Sequence, residues 1–357
     1  MLPLDGMRVL EIGGGIPAAF AARFLAGFGA DVARSEGAAD ALTSDEEAAL
    51  LAGKRRIAVP AERLRALALA ADVVVEDGRP GALAALGLDP HALRAEKPAL
   101  VLTSLTPFGQ TGPQAHCEAT NLVAHAAGGI LSLTGARERP PLANGANQAF
   151  KLLGLHGFAA SVTAWFGALV SGEGDWIDLS AQECAAGMLE FQGPRSAIDG
   201  LPGQRLGNRT TAIWGIYRCL DGFAGVCSLQ RQAQALFEGM GDPELREPRF
   251  LDPLARMKDD KELAARVERF FADRKKAELL ALGLRTKVPF GAVLTPRELL
   301  ESKSLAERGF FDEVPTPEGV ARVPGRPCLG LGWRAGGLSA PAADSEAVLR
   351  DWLGGAP

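Results

Sequence analysis

Residues 8–33, RVLEIGGGIPAAFAARFLAGFGADVA, contain a strand, a glycine turn, a helix and the start of a second strand. The short run at residues 8–12, with its apolar Val9, Leu10 and Ile12, predicts the first strand, and Pro17 suits the first turn of the helix that follows the glycines. Three phenylalanines then recur at helical spacing. A β-α-β order of this kind predicts an α/β fold with a parallel sheet.

The glycine turn at residues 13–15 does not by itself indicate a dinucleotide cofactor. It lacks a complete G-x-G-x-x-G pattern with the acidic residue that normally follows on the second strand. A nicotinamide cofactor is therefore not predicted.

Length and composition indicate a large globular protein. The chain has 357 residues, of which 47% are hydrophobic and 23% charged, and this length allows two domains. A net charge of −5 gives no support for a nucleic-acid surface. Because the start lacks a signal-peptide pattern and no apolar run reaches transmembrane length, a cytoplasmic protein without membrane contacts is expected.

Cysteine and histidine spacing argues against a metal site. The five cysteines are scattered and none has C-x-x-C spacing, which predicts reduced thiols. The four histidines do not have the spacing of metal ligands either. No metal is therefore expected.

The pattern of strands and turns divides the chain into three parts. Residues 1–195 predict a large Rossmann-like domain, and composition shifts after Gly193. Residues 200–325 predict a smaller α+β domain, which includes a hairpin about Asp221. Residues 326–357 are expected to return to the large domain.

A loop rich in glycine and proline follows an apolar run in the middle of the large domain. Residues 104–113 read SLTPFGQTGP and come after the apolar residues 100–102. This places the loop at the carboxyl end of a predicted strand, where open α/β sheets bind ligands. From spacing alone, the loop could equally be a connection between a strand and a helix that binds no ligand.

These segments together resemble the family III CoA-transferases, which include formyl-CoA transferase, carnitine CoA-transferase and α-methylacyl-CoA racemase. Besides the loop at 104–113, the resemblance rests on GADV at 29–32, LGL at 86–88 and the G-x-G-x-x-x-D-x-S turn at 172–180. It covers nearly the whole chain. The resemblance implies acyl-CoA and a carboxylic acid as substrates, and an interlocked dimer.

The resemblance also implies which residues contact CoA. Cations next to strands can hold its phosphates through charge-assisted hydrogen bonds, although solvated surface cations are the alternative. The implied CoA-binding residues are Arg34, Lys54, Arg55, Arg79, Phe108, Gly109 and Gln110. Two segments depart from the family pattern, since Leu51-Ala52 and Ala84-Ala85 replace an Asn-Arg and a Glu-Arg pair.

The nucleophilic aspartate of the transferases has no acidic counterpart in this sequence. Its position corresponds to Asn147, and no Asp or Glu occurs between residues 138 and 173. The His-Asp pair of the racemases corresponds to Thr120-Asn121, and their later Glu to Gln230. Because amides are poor nucleophiles and do not act as bases near pH 7, neither ordinary mechanism is expected.

Candidate replacements lie in residues 116–125. Asn121 and His125 are four residues apart, so they would share one face of a helix, where His125 could act as a base. Glu118 could serve as a displaced carboxylate. The catalytic candidates are therefore Asn147, Asn121, His125 and Glu118, each with a surface or packing role as its alternative.

The sequence leaves several functions open. The first is a CoA-transferase-like enzyme with non-standard acid–base groups. The second is a non-catalytic subunit of a hetero-oligomeric CoA-transferase whose partner carries the catalytic aspartate. The expected assembly is accordingly a homodimer or a heterodimer with a catalytic paralogue. An acyl-CoA racemase or isomerase and a CoA-binding protein without turnover are further alternatives.

Overall fold

The computed structural model describes residues 1–37, 42–189 and 191–354, and the chain forms two compact units. The larger unit consists of Met1–Leu131, Ala143–Pro202 and Lys303–Pro357. The smaller unit consists of Ser132–Leu142 and Gly203–Ser302. Residues 303–325, which the sequence places in the smaller domain, thus lie in the larger unit.

A six-stranded parallel sheet forms the centre of the larger unit. Its strands are β1 (Arg8–Ile12), β2 (Asp31–Ser35), β3 (Arg55–Ile57), β4 (Val73–Glu76), β5 (Val101–Thr106) and β6 (Trp176–Ser180). The spatial order is β3-β2-β1-β4-β5-β6, with every neighbouring pair parallel. This doubly wound order confirms the predicted Rossmann-like fold, and the order reverses between β1 and β4.

Helices connect the strands of this sheet and also follow its last strand. The connecting helices are α1 (Ile16–Gly27), α2 (Ser44–Leu50), α3 (Ala61–Ala70), α4 (Ala82–Ala85), α5 (Pro90–Glu96), α6 (Asn121–Ala127) and α7 (Gln148–Ser171), and those after the last strand are α8 (Ala181–Gly187) and α9 (Gln192–Asp199). Because successive strand residues point to opposite faces, the sheet has two cores. Val73 and Val75 pack in the core that contains α1 and α7, whereas Val74 packs in the core that contains α3.

Helix α7 approaches the rest of the larger unit closely at two glycines. A Cβ atom on Gly154 would lie 2.6 Å from the backbone oxygen of Pro17, and one on Gly157 would lie 2.8 Å from a Leu105 methyl carbon. By length and composition alone this helix could also cross a membrane, which corrects the expectation that no apolar run is long enough. It contacts α1, β5 and α8, and 28% of its most apolar stretch is buried.

The smaller unit contains an antiparallel sheet and a layer of helices. Its strands are β7 (Arg209–Thr211), β8 (Trp214–Cys219), β9 (Gly222–Cys227) and β10 (Phe290–Val293), in the order β10-β9-β8-β7. Its helices are α10 (Ala233–Met240), α11 (Pro248–Leu251), α12 (Pro253–Lys258), α13 (Asp260–Ala272), α14 (Lys276–Thr286) and α15 (Pro296–Leu300). The β8–β9 pairing forms the predicted hairpin at Asp221.

The last part of the chain adds a short helix, a hairpin and a final helix to the larger unit. These are α16 (Lys303–Glu307), β11 (Phe311–Thr316), β12 (Gly319–Pro324) and α17 (Ser345–Leu353). Helix α17 packs against α3 and β3, and its Trp352 donates a hydrogen bond of 2.7 Å to Asp31.

Candidate active site

Two adjoining cavities open at the carboxyl ends of the central strands. The first has a volume of about 690 Å³ and is bordered by residues 13–15 after β1, 35–37 at the end of β2 and 76–79 at the end of β4. Because it lies where the strand order reverses, we call it the switch-point cavity. The second has a volume of about 240 Å³, and residues 14–17 and 105–107 form much of its wall. We call it the apolar cavity.

Asp77 lies at the boundary between the two cavities and borders both. Its carboxylate accepts backbone hydrogen bonds from Gly15 at 3.3 Å and from Ala18 at 3.1 Å, at the start of α1. Gly13 has a φ of +134°, and a Cβ atom there would lie 2.0 Å from an Asp77 carboxylate oxygen. Glycine is therefore required where the turn meets this carboxylate.

The Asp77 carboxyl has a raised pKa because it is buried. Loss of solvent raises the pKa of its carboxyl to about 6, and the hydrogen bond from Ala18 opposes this shift. Among the described residues that line the apolar cavity, Asp77 is the single titratable one. A carboxylate of this kind in a cleft is a candidate functional group.

Glu76, the last residue of β4, carries a second carboxyl whose pKa is raised. It is buried, and burial raises its pKa to about 7. Its carboxylate accepts a hydrogen bond of 2.7 Å from the backbone of Gly78 and one of 3.4 Å from the side chain of Gln110. Glu76 borders the switch-point cavity but is not among the described residues that line the apolar cavity.

The predicted loop at Phe108, Gly109 and Gln110 follows β5 directly. The Gly109 N–H donates to the Thr106 hydroxyl at 2.8 Å, and Gly109 has a φ of +89°, which favours glycine. The Gln110 N–H donates to both carboxylate oxygens of Asp178, at 3.0 and 2.9 Å. These bonds fix the loop at the edge of the sheet beside Glu76.

Arg34 and Lys54 are inside the protein, which corrects the expectation that they are exposed to a phosphate. Both pair with the buried carboxylate of Glu11. The Lys54 ammonium lies 2.6 Å from one Glu11 oxygen and 2.8 Å from the backbone oxygen of Ala19. Burial lowers the pKa of Lys54 to about 8. In this structure both cations neutralise Glu11 within the sheet.

The other two predicted CoA-binding arginines have different surroundings. Arg55 is half-buried and pairs with Asp31 and Asp351, so it links β2 to the final helix. Arg79 is exposed, borders the switch-point cavity and pairs with the exposed Glu118. Of these two, Arg79 therefore has the better position for an anionic ligand.

The predicted catalytic residues Asn121 and Asn147 both lie near the start of α7. The Asn121 side-chain oxygen accepts hydrogen bonds from the backbone N–H groups of Ala149 at 2.9 Å and Phe150 at 3.4 Å. Asn147 adopts a left-handed conformation with a φ of 53°, and its amide donates to Glu46 at 3.2 Å. Their catalytic roles stay predictions.

His125 lies on the same helix as Asn121, as the spacing predicts, but its side chain is only 3% exposed. Neither ring nitrogen has a hydrogen-bond partner within the described part of the chain. Burial lowers the pKa of the imidazole below its usual value of 6.5. The residues described as lining the two cavities do not include His125.

The sequence missed Glu76 and Asp77 as site residues, although it carried a signal for them. Two acidic residues follow a buried strand and precede a Gly-Arg-Pro-Gly turn. Side chains at the carboxyl end of such a strand face the ligand crevice.

Within residues 1–37, 42–189 and 191–354, no three His, Cys, Asp or Glu side chains are grouped closely enough to hold a metal ion. All five cysteines are free thiols.

Comparisons with known proteins agree with this architecture. A family model described as CoA-transferase family III matches residues 53–342. The chain is 30% identical over 282 residues to succinyl-CoA:(R)-benzylsuccinate CoA-transferase subunit BbsE of Thauera aromatica, a match that covers 73% of this chain and 68% of that protein. It is 29% identical over 343 residues to succinyl-CoA–D-citramalate CoA-transferase of Chloroflexus aurantiacus, covering 88% and 84%.

A solved structure shows the same fold over nearly the full length. The crystal structure of a CAIB/BAIF family protein from Brucella suis superposes with a TM-score of 0.89 and 26% identity, covering 98% of this chain and 99% of that one. With the family match across residues 53–342, these similarities show that the chain belongs to CoA-transferase family III.

Proposed function

We propose that this protein transfers CoA from an acyl-CoA thioester to a carboxylic acid. The single observation that carries the proposal is the switch-point cavity, which lies where open α/β sheets bind their ligands, in a chain of this family. Two relatives are named for succinyl-CoA as donor. Succinyl-CoA is therefore the first donor to test here.

The size and borders of the cavity support this assignment. Its volume of about 690 Å³ is within the range of roughly 300–1,000 Å³ that is usual for ligand pockets. Arg79 is an exposed cation on its border and suits a phosphate group of CoA. Because Arg34 and Lys54 are committed to Glu11, Arg79 takes the main role in binding the anionic end of CoA.

The proposed reaction uses acid–base groups that differ from the usual aspartate. Asn147 carries a neutral amide, whose N–H donates a hydrogen bond to the Glu46 carboxylate. A carboxamide does not form an anhydride as a carboxylate does. The transfer therefore requires a carboxylate elsewhere in the cleft, or one from a second chain.

A steady-state assay of the purified full chain tests the function. Succinyl-CoA and a panel of small carboxylic acids are incubated with the protein, and new acyl-CoA species are separated by liquid chromatography. Ala82, at the start of α4, borders the switch-point cavity, whereas Ala95 on α5 is exposed. We expect Ala82→Trp to raise the KM for acyl-CoA and Ala95→Trp to leave it unchanged. Equal KM values for both variants, or no transfer to any acid, would contradict the proposal.

A second candidate function is that of a subunit in a hetero-oligomeric transferase. The observation that favours it is that the BbsE relative is itself named as a subunit. An interlocked homodimer or heterodimer remains the predicted assembly. Exposed apolar residues at the end of α7 support an assembly, namely Phe166, Leu169 and Val170.

Turnover by the isolated chain would exclude the purely non-catalytic subunit. The complementary assay adds a family relative that carries the aspartate, and light scattering measures the mass of each species. Activity that appears only with the mixed species would favour the subunit function over the self-sufficient enzyme.

A further inference from the structure

The two cavities meet at one carboxylate. Asp77 borders the switch-point cavity, the apolar cavity and a third cavity of about 370 Å³ that is also lined by His116 and Glu118. The remaining described lining of the apolar cavity is largely nonpolar, including Leu105, Phe150 and Leu153. Asp77 thus lies where a nonpolar compartment joins the larger compartment.

An acyl-CoA molecule likewise has two parts, an acyl group and a larger CoA group, which the thioester joins. A nonpolar acyl group suits the apolar cavity and the CoA part suits the switch-point cavity, so that the thioester lies at their boundary. We propose that Asp77 is the catalytic carboxylate and that its side-chain oxygen attacks the thioester carbonyl carbon there. The proposal rests on the CoA-transfer function, and it assigns the nucleophile that Asn147 does not supply.

The surroundings of Asp77 suit a nucleophile. The N–H groups of Gly15 and Ala18 orient the carboxylate at 3.3 and 3.1 Å. These N–H groups also favour the ionised form, while burial raises the pKa to about 6. The group is therefore mostly ionised at pH 7 and more basic than an exposed aspartate, which favours attack on a carbonyl carbon.

Four balanced steps complete a transfer. The Asp77 oxygen bonds to the acyl carbon, the C–S bond breaks with its electron pair, and CoA thiolate leaves a mixed anhydride behind. The thiolate then adds to the Asp77 carbonyl carbon and releases the donor carboxylate, so that Asp77 carries CoA as a thioester. The acceptor carboxylate attacks this thioester and forms a second anhydride. The released thiolate takes the acceptor acyl group and restores the Asp77 carboxylate, without an oxidant or a net proton.

The other candidate groups have less suitable positions. The described lining of the apolar cavity contains neither Glu76 nor His125, and His125 is buried. Glu118 is exposed and paired with Arg79. A relocated carboxylate is thus better placed at Asp77 than at the position of Glu118.

Trapping of the intermediate tests the assignment. The full chain is incubated with hydroxylamine and either succinyl-CoA or acetyl-CoA, whose acyl group is uncharged, and peptide mass spectrometry locates any aspartyl or glutamyl hydroxamate. We expect a hydroxamate on Asp77. Gly15 and Ala18 donate to different oxygens of Asp77, so Asp77→Asn keeps an acceptor for one of the two N–H groups, and circular dichroism and thermal unfolding check that the fold survives. The exposed Asp175 provides the matched control Asp175→Asn.

The outcomes separate this proposal from the function on which it rests. We expect Asp77→Asn to lose transfer by about a thousandfold or more, and Asp175→Asn to retain it. If the wild-type chain transfers CoA and Asp77→Asn does so equally, Asp77 is not the nucleophile although the function stands. A hydroxamate on Asp77 without transfer to any acid would support the nucleophile and overturn the transfer function. A hydroxamate on another residue, or none at all, would overturn the assignment of Asp77 as the nucleophile.

Discussion

The Asn121 side-chain oxygen accepts the backbone N–H of Ala149 at 2.9 Å, so a residue at the start of α6 caps the first turn of α7. The first N–H groups of a helix have no partner within the helix, and an external acceptor stabilises them. Asn121 also accepts from Phe150. The amide at this position thus has a structural function in joining two helices of the larger unit.

We expect Asn121→Ala to lower the free energy of unfolding by about 1–2 kcal/mol, because the cap of α7 is lost. Asn121→Asp should keep stability close to wild type, since a carboxylate accepts the same bonds and suits a helix N-terminus. Urea unfolding followed by circular dichroism measures both variants. If Asn121→Ala is as stable as the wild type, the capping function is refuted.

The second prediction concerns His125, whose burial in the folded chain disfavours the protonated form of the imidazole. Its pKa in the folded chain is below the usual 6.5, so the unfolded chain binds the proton more readily. Stability should therefore fall as the pH drops below about 6.5, by up to about 1.4 kcal/mol per pH unit.

Unfolding at about pH 7.5 and about pH 5.5 measures this effect. We expect His125→Leu to lose less stability on acidification than the wild type, because it has no imidazole to protonate. The exposed His116 provides the control His116→Leu, which should behave like the wild type. The same loss in both variants would show that His125 is not the responsible group.

Local patterns in the sequence predict much of the fold. The strand, glycine turn and helix of residues 8–33 predict the β-α-β unit, and the near-continuous apolar run at residues 71–76 predicts a strand buried on both faces. The hairpin β11–β12 was missed, because it has no two-residue turn of the favoured kind. Asp312 in β11 and Arg23 in α1 are far apart in the sequence, yet they form a buried ion pair at 2.7 Å.

The site was harder to predict, because its groups meet only through tertiary structure. Arg34 and Lys54 read as surface cations, and no local pattern shows that both converge on Glu11 in the neighbouring strand. Asp77 likewise reads as part of a turn. Its contacts with Gly15 and Ala18 join residues about sixty positions apart, which spacing within one segment does not reveal.

The third prediction concerns Arg79 and Glu118, which pair at the border of the switch-point cavity. If Arg79 binds a phosphate of CoA, Arg79→Ala should raise the KM for acyl-CoA about tenfold with little change in kcat. Glu118→Gln should lower that KM, because Arg79 is then free for the ligand.

Initial rates over a range of acyl-CoA concentrations give both constants. Arg65, an exposed arginine that pairs with Glu96, provides the matched control Arg65→Ala, and its KM should equal that of the wild type. Loss of kcat in Glu118→Gln would instead restore Glu118 as a catalytic carboxylate, as the sequence suggested.

The last prediction follows from the buried Glu76, whose pKa in the folded chain is about 7 because burial disfavours its charged form. Between its ordinary pKa of 4.5 and this value, the folded chain binds more protons than the unfolded chain. The contribution of Glu76 to stability is thus fully present at low pH and is lost as the pH rises through about 7. Glu76→Gln keeps an acceptor for Gly78 and has no charge to bury.

We therefore expect Glu76→Gln to be more stable than the wild type at about pH 8, by up to on the order of 3 kcal/mol. At about pH 5 the two should differ little, since Glu76 is then largely protonated in the folded chain. Urea unfolding at both pH values measures the difference, and Glu173→Gln provides an exposed control. A gain in stability that is equal at both pH values would come from packing, and it would show that Glu76 is not protonated in the folded protein.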